Sequence, residues 1–222
     1  MAVCHPPIHP FFKDMPIRDI DKNQPLQIAL VGEAKSGKSA YVLRYTTCQF
    51  HRDTYQPTNG VVTTAASIWV SSRERITRLN ILLHDVGSQT STAVVESVLR
   101  QSNVALVFTN GSVEGQFGSV NKWLDICDKH KLPTIIVSSF SDICTYTRRG
   151  KKMSPGTRLL VHYMWKQPPT NTPRMGVTVS TLGMYDLGKP VIYAARKYYG
   201  DMNLYQHEVL HPVELIGVQP RL

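Results

Sequence analysis

Cysteine is scarce in this 222-residue chain: Cys4, Cys48, Cys127 and Cys144 are widely scattered, with no CxxC pair and no metal-ligand spacing. That pattern excludes a disulfide framework and a structural zinc site, and it predicts free thiols in a reducing compartment. Long apolar runs are missing too. No stretch approaches the ~20 residues that a membrane-spanning helix needs, although 42% of the residues are hydrophobic. The segment from Met1 to Asn23 is broken by Pro6, Pro7, Pro10 and Pro16 and lacks an apolar core of signal-peptide length. It predicts an unstructured, non-secretory extension over residues 1–24. Acidic residues are outnumbered, 16 against 25 lysines and arginines, for a formal charge of +9. The basic residues cluster at Arg148, Arg149, Lys151 and Lys152 and at Lys129, His130 and Lys131, without interleaved aromatics. The charge suits an acidic partner, an anionic surface or simply a solvated basic loop, and it does not specify a nucleic-acid site.

What the chain does have is a complete phosphate-binding loop, Gly32-Glu33-Ala34-Lys35-Ser36-Gly37-Lys38-Ser39, directly after the apolar run Leu26 to Val31 and before the helical spacing of Ser39 to Thr47. A strand before and a helix after are the context this pattern requires. Its backbone amides, from Glu33 through Ala40, face the oxygens of a phosphate chain at the positive end of a helix. Lys38 reaches toward the β and γ phosphates as the cation of the site, and Ser39 offers a hydroxyl to Mg²⁺.

Strands are expected at 26–31, 60–70, 76–84, 104–108, 133–137 and 177–179, the second and third forming a hairpin turned near Ser71-Ser72-Arg73. Helices are expected at 39–47, 91–101, 120–130, 159–165 and 189–199, and three prolines in 168–173 predict a surface loop there. Beyond Asn203 no element is expected. The alternation predicts an α/β fold of the P-loop NTPase class, a mostly parallel six-stranded sheet with helices on both faces, spanning residues 25–205 and followed by a tail, 206–222.

Two further motifs accompany the loop. Asp85-Val86-Gly87-Ser88-Gln89 closes the third strand, and Tyr55-Gln56-Pro57-Thr58-Asn59-Gly60 lies between. The order phosphate loop, threonine loop, Asp-x-x-x-Gln resembles the small, Ras-superfamily GTPases. Ser138-Ser139-Phe140-Ser141-Asp142 stands where that family carries its guanine-reading Asn-Lys-x-Asp, and Ser180-Thr181-Leu182 where it carries Ser-Ala-Lys. The closing stretch, Lys189-Pro190 through Ala195-Arg196-Lys197 to Gly200-Asp201-Met202-Asn203-Leu204, is similar to the last helix of the Ran-like, nuclear-transport branch.

This resemblance implies binding of GTP and GDP with Mg²⁺ held by Ser39, Thr58 and Asp85. It implies slow hydrolysis, with Gln89 placing the water and Lys38 stabilising charge, and base contacts from Ser139, Phe140 and Asp142 and from Ser180, Thr181 and Leu182. It further implies importin- and exportin-type receptors and Ran regulators as partners, and residence in nucleus and cytoplasm. No cysteine follows Cys144, so no prenyl anchor is expected at this C-terminus.

The departures are specific. Ser88 replaces the glycine before the glutamine, and a Cβ there narrows the conformations that bring its amide to the γ-phosphate. The spacing from Ser39 to Thr58 is one residue longer than in the family, which calls for a bulged loop if Thr58 is to reach the metal. Ser139 is shorter than asparagine. Phe140, in place of lysine, stacks on a purine or continues the buried strand. Three alternatives remain: a pseudo-GTPase that occupies transport receptors with little turnover, a Rab-like trafficking GTPase without a lipid anchor, and an ATPase or nucleotide kinase, for which no arginine-bearing lid is present.

Overall fold

The computed structural model describes residues 10–13, 15, 17–21, 23–51, 55–72, 75–112, 117–140, 174–184, 186–207 and 214–215. The expected helix at 159–165, the proline loop 168–173, the basic cluster 148–152, Cys4, Cys144 and Asp142 lie outside them.

Strand β1 (Leu26–Gly32) leads into helix α1 (Lys38–Thr47), and the hairpin β2 (Val61–Ser72) and β3 (Arg75–Val86) follows. Then come α2 (Thr92–Gln101), β4 (Val104–Asn110), α3 (Phe117–Lys129), β5 (Thr134–Ser139), β6 (Met175–Thr178) and α4 (Lys189–Tyr199). The six long strands run in the order β6-β5-β4-β1-β3-β2, with only β2 antiparallel to its neighbour. The hairpin is longer than its periodicity announced, pairing continuously from Val61 with Val86 to Ser72 with Arg75.

Period-two alternation divides each central strand between two cores. Ile28 and Leu30 of β1, with Leu106 and Phe108 of β4, pack against Tyr41 and Tyr45 of α1 and Val191 and Ala195 of α4. Ala29, Val31, Ala105 and Val107 face the other way, onto Val95 and Leu99 of α2 and Trp123 and Leu124 of α3. Strands buried on both faces need continuous apolar runs, which β1, β4 and β5 have. Because β3 flanks β1 on one side and β4 on the other, chain connections diverge from the carboxyl end of β1. That crevice is where parallel α/β sheets bind ligands.

Two segments flanking the sheet differ from expectation among the described residues, while residues 1–9 and 216–222 lie outside them. Pro10–Phe12 form a 3-10 turn whose Phe11 and Phe12 side chains are buried, Phe12 edge-on to Tyr193 of α4, and the Arg18 amide donates to the Tyr199 carbonyl at 3.0 Å. Residues 10–12 are therefore packed, because their aromatics cover a helix face that would otherwise be wet. After α4, two short strands, β7 (Tyr205–Gln206) and β8 (Glu214–Leu215), pair antiparallel with β2. They satisfy part of an edge that would expose unpaired amides and carbonyls.

Candidate functional site

The loop between β1 and α1 is shaped by contacts beneath it. A Cβ on Gly32, whose φ is 145°, would stand 2.4 Å from the Phe108 carbonyl oxygen of β4, so no side chain fits at the loop's first position. The Ser139 hydroxyl, buried at the end of β5, donates to the Ser36 carbonyl at 2.7 Å, with the Thr109 carbonyl 3.0 Å away as an alternative acceptor. Glu33 turns away from the loop, its carboxylate accepting from the Trp123 indole at 3.1 Å.

Lys38, only 6% exposed, curls under the loop, its ammonium donating to the carbonyls of Gly32 at 2.8 Å and Glu33 at 3.0 Å. Burial pushes its pKa below the usual lysine value, opposed by the carboxylates of Asp85 and Glu33. The three donors of that ammonium are held at the loop's throat, where they can be exchanged for phosphate oxygens.

The expected metal residues converge. The Thr58 hydroxyl donates to Oδ2 of Asp85 at 3.1 Å, and since a hydroxyl has one proton, Ser39 donates to Thr58 at 2.8 Å. The longer spacing is accommodated. Asp85 is 4% exposed, and its Oδ1 is buried without a hydrogen-bond partner among the described residues. One carboxylate and two hydroxyls are hard oxygen donors, too few for an all-protein cage but suited to Mg²⁺ completed by phosphate oxygens and water. The orphaned Oδ1 is the atom at which such a cation would be held.

The segment after β3 is tied to the threonine loop across Gly60. The Gly87 amide donates to the Gly60 carbonyl at 2.8 Å, and the Thr90 hydroxyl donates to the same oxygen at 2.8 Å. A Cβ on Gly87 would lie 2.1 Å from the Thr58 carbonyl oxygen. The glycine that sequence comparison places one position early is thus the one that the contact with Thr58 demands. Ser88 itself has no positive φ here.

Above the loop lies a cleft of about 730 Å³. Of the expected nucleotide-binding residues, Ala34 through Ala40, Thr58, Ser88, Phe140 and Thr181 line it. Glu33, Ser139, Ser180, Leu182 and Gln89 do not. Ser139 and Ser180 are buried, the Ser180 oxygen accepting the Gly183 amide at 2.8 Å, while Leu182 and Gln89 are exposed. The Ser139 hydroxyl is engaged in holding the loop. Phe140 leaves the strand with a left-handed φ of 59° and faces the cleft, which decides against its continuing the buried strand.

Sequence reasoning missed Leu43, Phe50, His51, Tyr55, Gln56 and Asn110, which also line the cleft. The only available signal was a pair of aromatics in an otherwise polar segment after α1. Two titratable groups outside the site are accounted for. His84 bonds the Thr63 hydroxyl at 2.9 Å and burial lowers its pKa, while burial pushes the Cys127 thiol up to about 12, an unreactive state.

Residues 27–142, just over half of the chain, match the family model described as Roc, the Ras of Complex domain of DAPkinase. No individual curated protein matches the sequence.

Proposed function

The chain belongs to the Roc family of Ras-like GTP-binding domains, and from that premise we propose that it is a Mg²⁺-dependent switch which binds GTP and GDP and turns GTP over slowly. The observation that carries this reading is the hydrogen-bonded series Ser39, Thr58 and Asp85, which joins the phosphate loop, the threonine loop and the end of β3 at the Asp85 carboxylate, whose other oxygen has no partner among the described residues. Bound there, Mg²⁺ would neutralise phosphate charge. The loop amides and Lys38 hold the phosphate chain, with the ammonium exchanging the carbonyls of Gly32 and Glu33 for phosphate oxygens. Gln89 is exposed and off the cleft wall, so it must swing inward to orient an attacking water, and turnover without help is slow. The same observation favours a second reading, a pseudo-GTPase that binds nucleotide and partners with little hydrolysis.

The finer proposal is a role in nucleocytoplasmic transport with importin- and exportin-type receptors, in nucleus and cytoplasm. It is supported by the likeness of Lys189 to Leu204 to the Ran-like branch and by the basic run 148–152.

Titration of a fluorescent guanine nucleotide with Mg²⁺ tests the switch. Lys38→Ala should weaken binding by about 2 kcal/mol or more, because several charge-assisted contacts vanish together. Equal dissociation constants for the two proteins would remove the phosphate loop from the argument. ATP should compete with bound GDP less well than GTP does, and parity would end the guanine reading. The transport reading stands on GTP-loaded protein binding an importin-type receptor more tightly than GDP-loaded protein; no difference between the two would sink it.

A further inference from the structure

Lys35, three residues before Lys38, is the unusual member of the phosphate loop. Its φ of 57° puts a lysine in the left-handed region that glycine occupies freely, and such backbone outliers concentrate at functional sites. Its side chain is exposed, lines the cleft with Lys38, Thr58 and Ser88, and carries its ammonium 5.5 Å from the centre of the Tyr55 ring. Among the described residues no carboxylate pairs with it. Glu33, the loop's own acid, is held by Trp123, and the described lining of the cleft contains two lysines and no aspartate or glutamate.

We propose that Lys35 is a second phosphate-binding cation, resting on the Tyr55 ring and moving to the terminal phosphate of a nucleoside triphosphate, so that it selects triphosphate over diphosphate. The inference rests on the nucleotide-binding reading above. The energetic direction follows from two general strengths. An exposed ammonium over an aromatic face is weakly held, whereas a charge-assisted bond to a phosphate oxygen is among the stronger polar contacts. After one divalent cation is bound, a triphosphate keeps more negative charge than a diphosphate, and Lys38 alone leaves that excess unmatched. Tyr55, half-exposed in the loop that carries Thr58, is released when the ammonium leaves it, which links the terminal phosphate to that loop.

The test compares dissociation constants for GDP and for the β,γ-imido analogue of GTP, both with Mg²⁺, in the unaltered protein and in Lys35→Met, Lys35→Gly and Lys35→Arg. The Met and Gly variants should bind the analogue roughly tenfold more weakly and GDP less than about twofold more weakly, and Arg should keep the original ratio. Lys35→Gly also relieves the left-handed backbone, so its melting temperature should hold or rise, and a loss of affinity there does not reflect misfolding. Equal losses for both nucleotides would make Lys35 a loop-shaping residue, and unchanged constants would make it a solvated lysine; either overturns the proposal while leaving the switch intact. An unaltered protein that binds neither nucleotide sinks both.

Discussion

At the scale of single residues, chemistry and position separate at Gly87 and Ser88. The family comparison treats Ser88 as the defect, yet the tight contact is at Gly87, where an added Cβ meets the Thr58 carbonyl at 2.1 Å. Gly87→Ala should therefore displace Thr58 from Asp85 and cost about 1–3 kcal/mol, the range of overpacking. A Mg²⁺ titration at fixed triphosphate should show the midpoint shifted to higher concentration, while Ser88→Gly leaves it unmoved. Were Gly87→Ala silent, the loops would not be coupled through that contact. That Ser39, Thr58 and Asp85 would meet was legible in the order of the motifs, because a phosphate loop admits few residue types. The engagement of Ser139 with the Ser36 carbonyl was not legible, since it depends on where β5 ends relative to the loop.

At the scale of elements, the described strands and helices fell close to where their apolar spacing placed them. The hairpin exceeded it, because cross-strand pairing carries β2 and β3 on to Ser72 and Arg75 through polar residues that no hydrophobic pattern marks. The proline-broken stretch before β1 departs from its expected lack of structure at residues 10–12. Its prolines signalled disorder, but Phe11 lies fully buried against its neighbours, and Lys197 of α4 sits 5.4 Å from its ring centre. Phe11→Ala should destabilise the protein by about 3 kcal/mol, as expected for a large aromatic removed from a core. Urea unfolding measures this through the midpoint. An unchanged midpoint would show that the segment contributes nothing to the folded state.

At the scale of the whole molecule, buried titratable groups couple folding to pH. His84, wedged between Thr63 and Gln27, has its pKa lowered from 6.5 by burial. The unfolded chain therefore binds a proton more readily than the folded one. By linkage, His84's contribution is fully present above about pH 6.5 and is lost as the pH falls through the window below it. Thermal melts across that range should decline less steeply for His84→Gln than for the unaltered protein, and identical slopes would acquit His84.

The linear order of residues by itself determined the phosphate loop, the αβ alternation that builds a parallel sheet covered on both faces, and the residue types able to hold phosphate and Mg²⁺. Those follow from local geometry and from the chemistry of a few side chains, which spacing along a chain records. Tertiary structure alone decided that Thr58 reaches Asp85 despite a longer loop, that Phe50, Tyr55 and Phe140 wall the cleft, and that Gln89 stands outside it. It also decided that residues 10–12 pack on α4 and that residues 205–206 and 214–215 pair with β2. Each of these depends on closing distances between segments far apart in sequence, where burial and hydrogen-bond satisfaction choose among conformations that local propensity leaves equal.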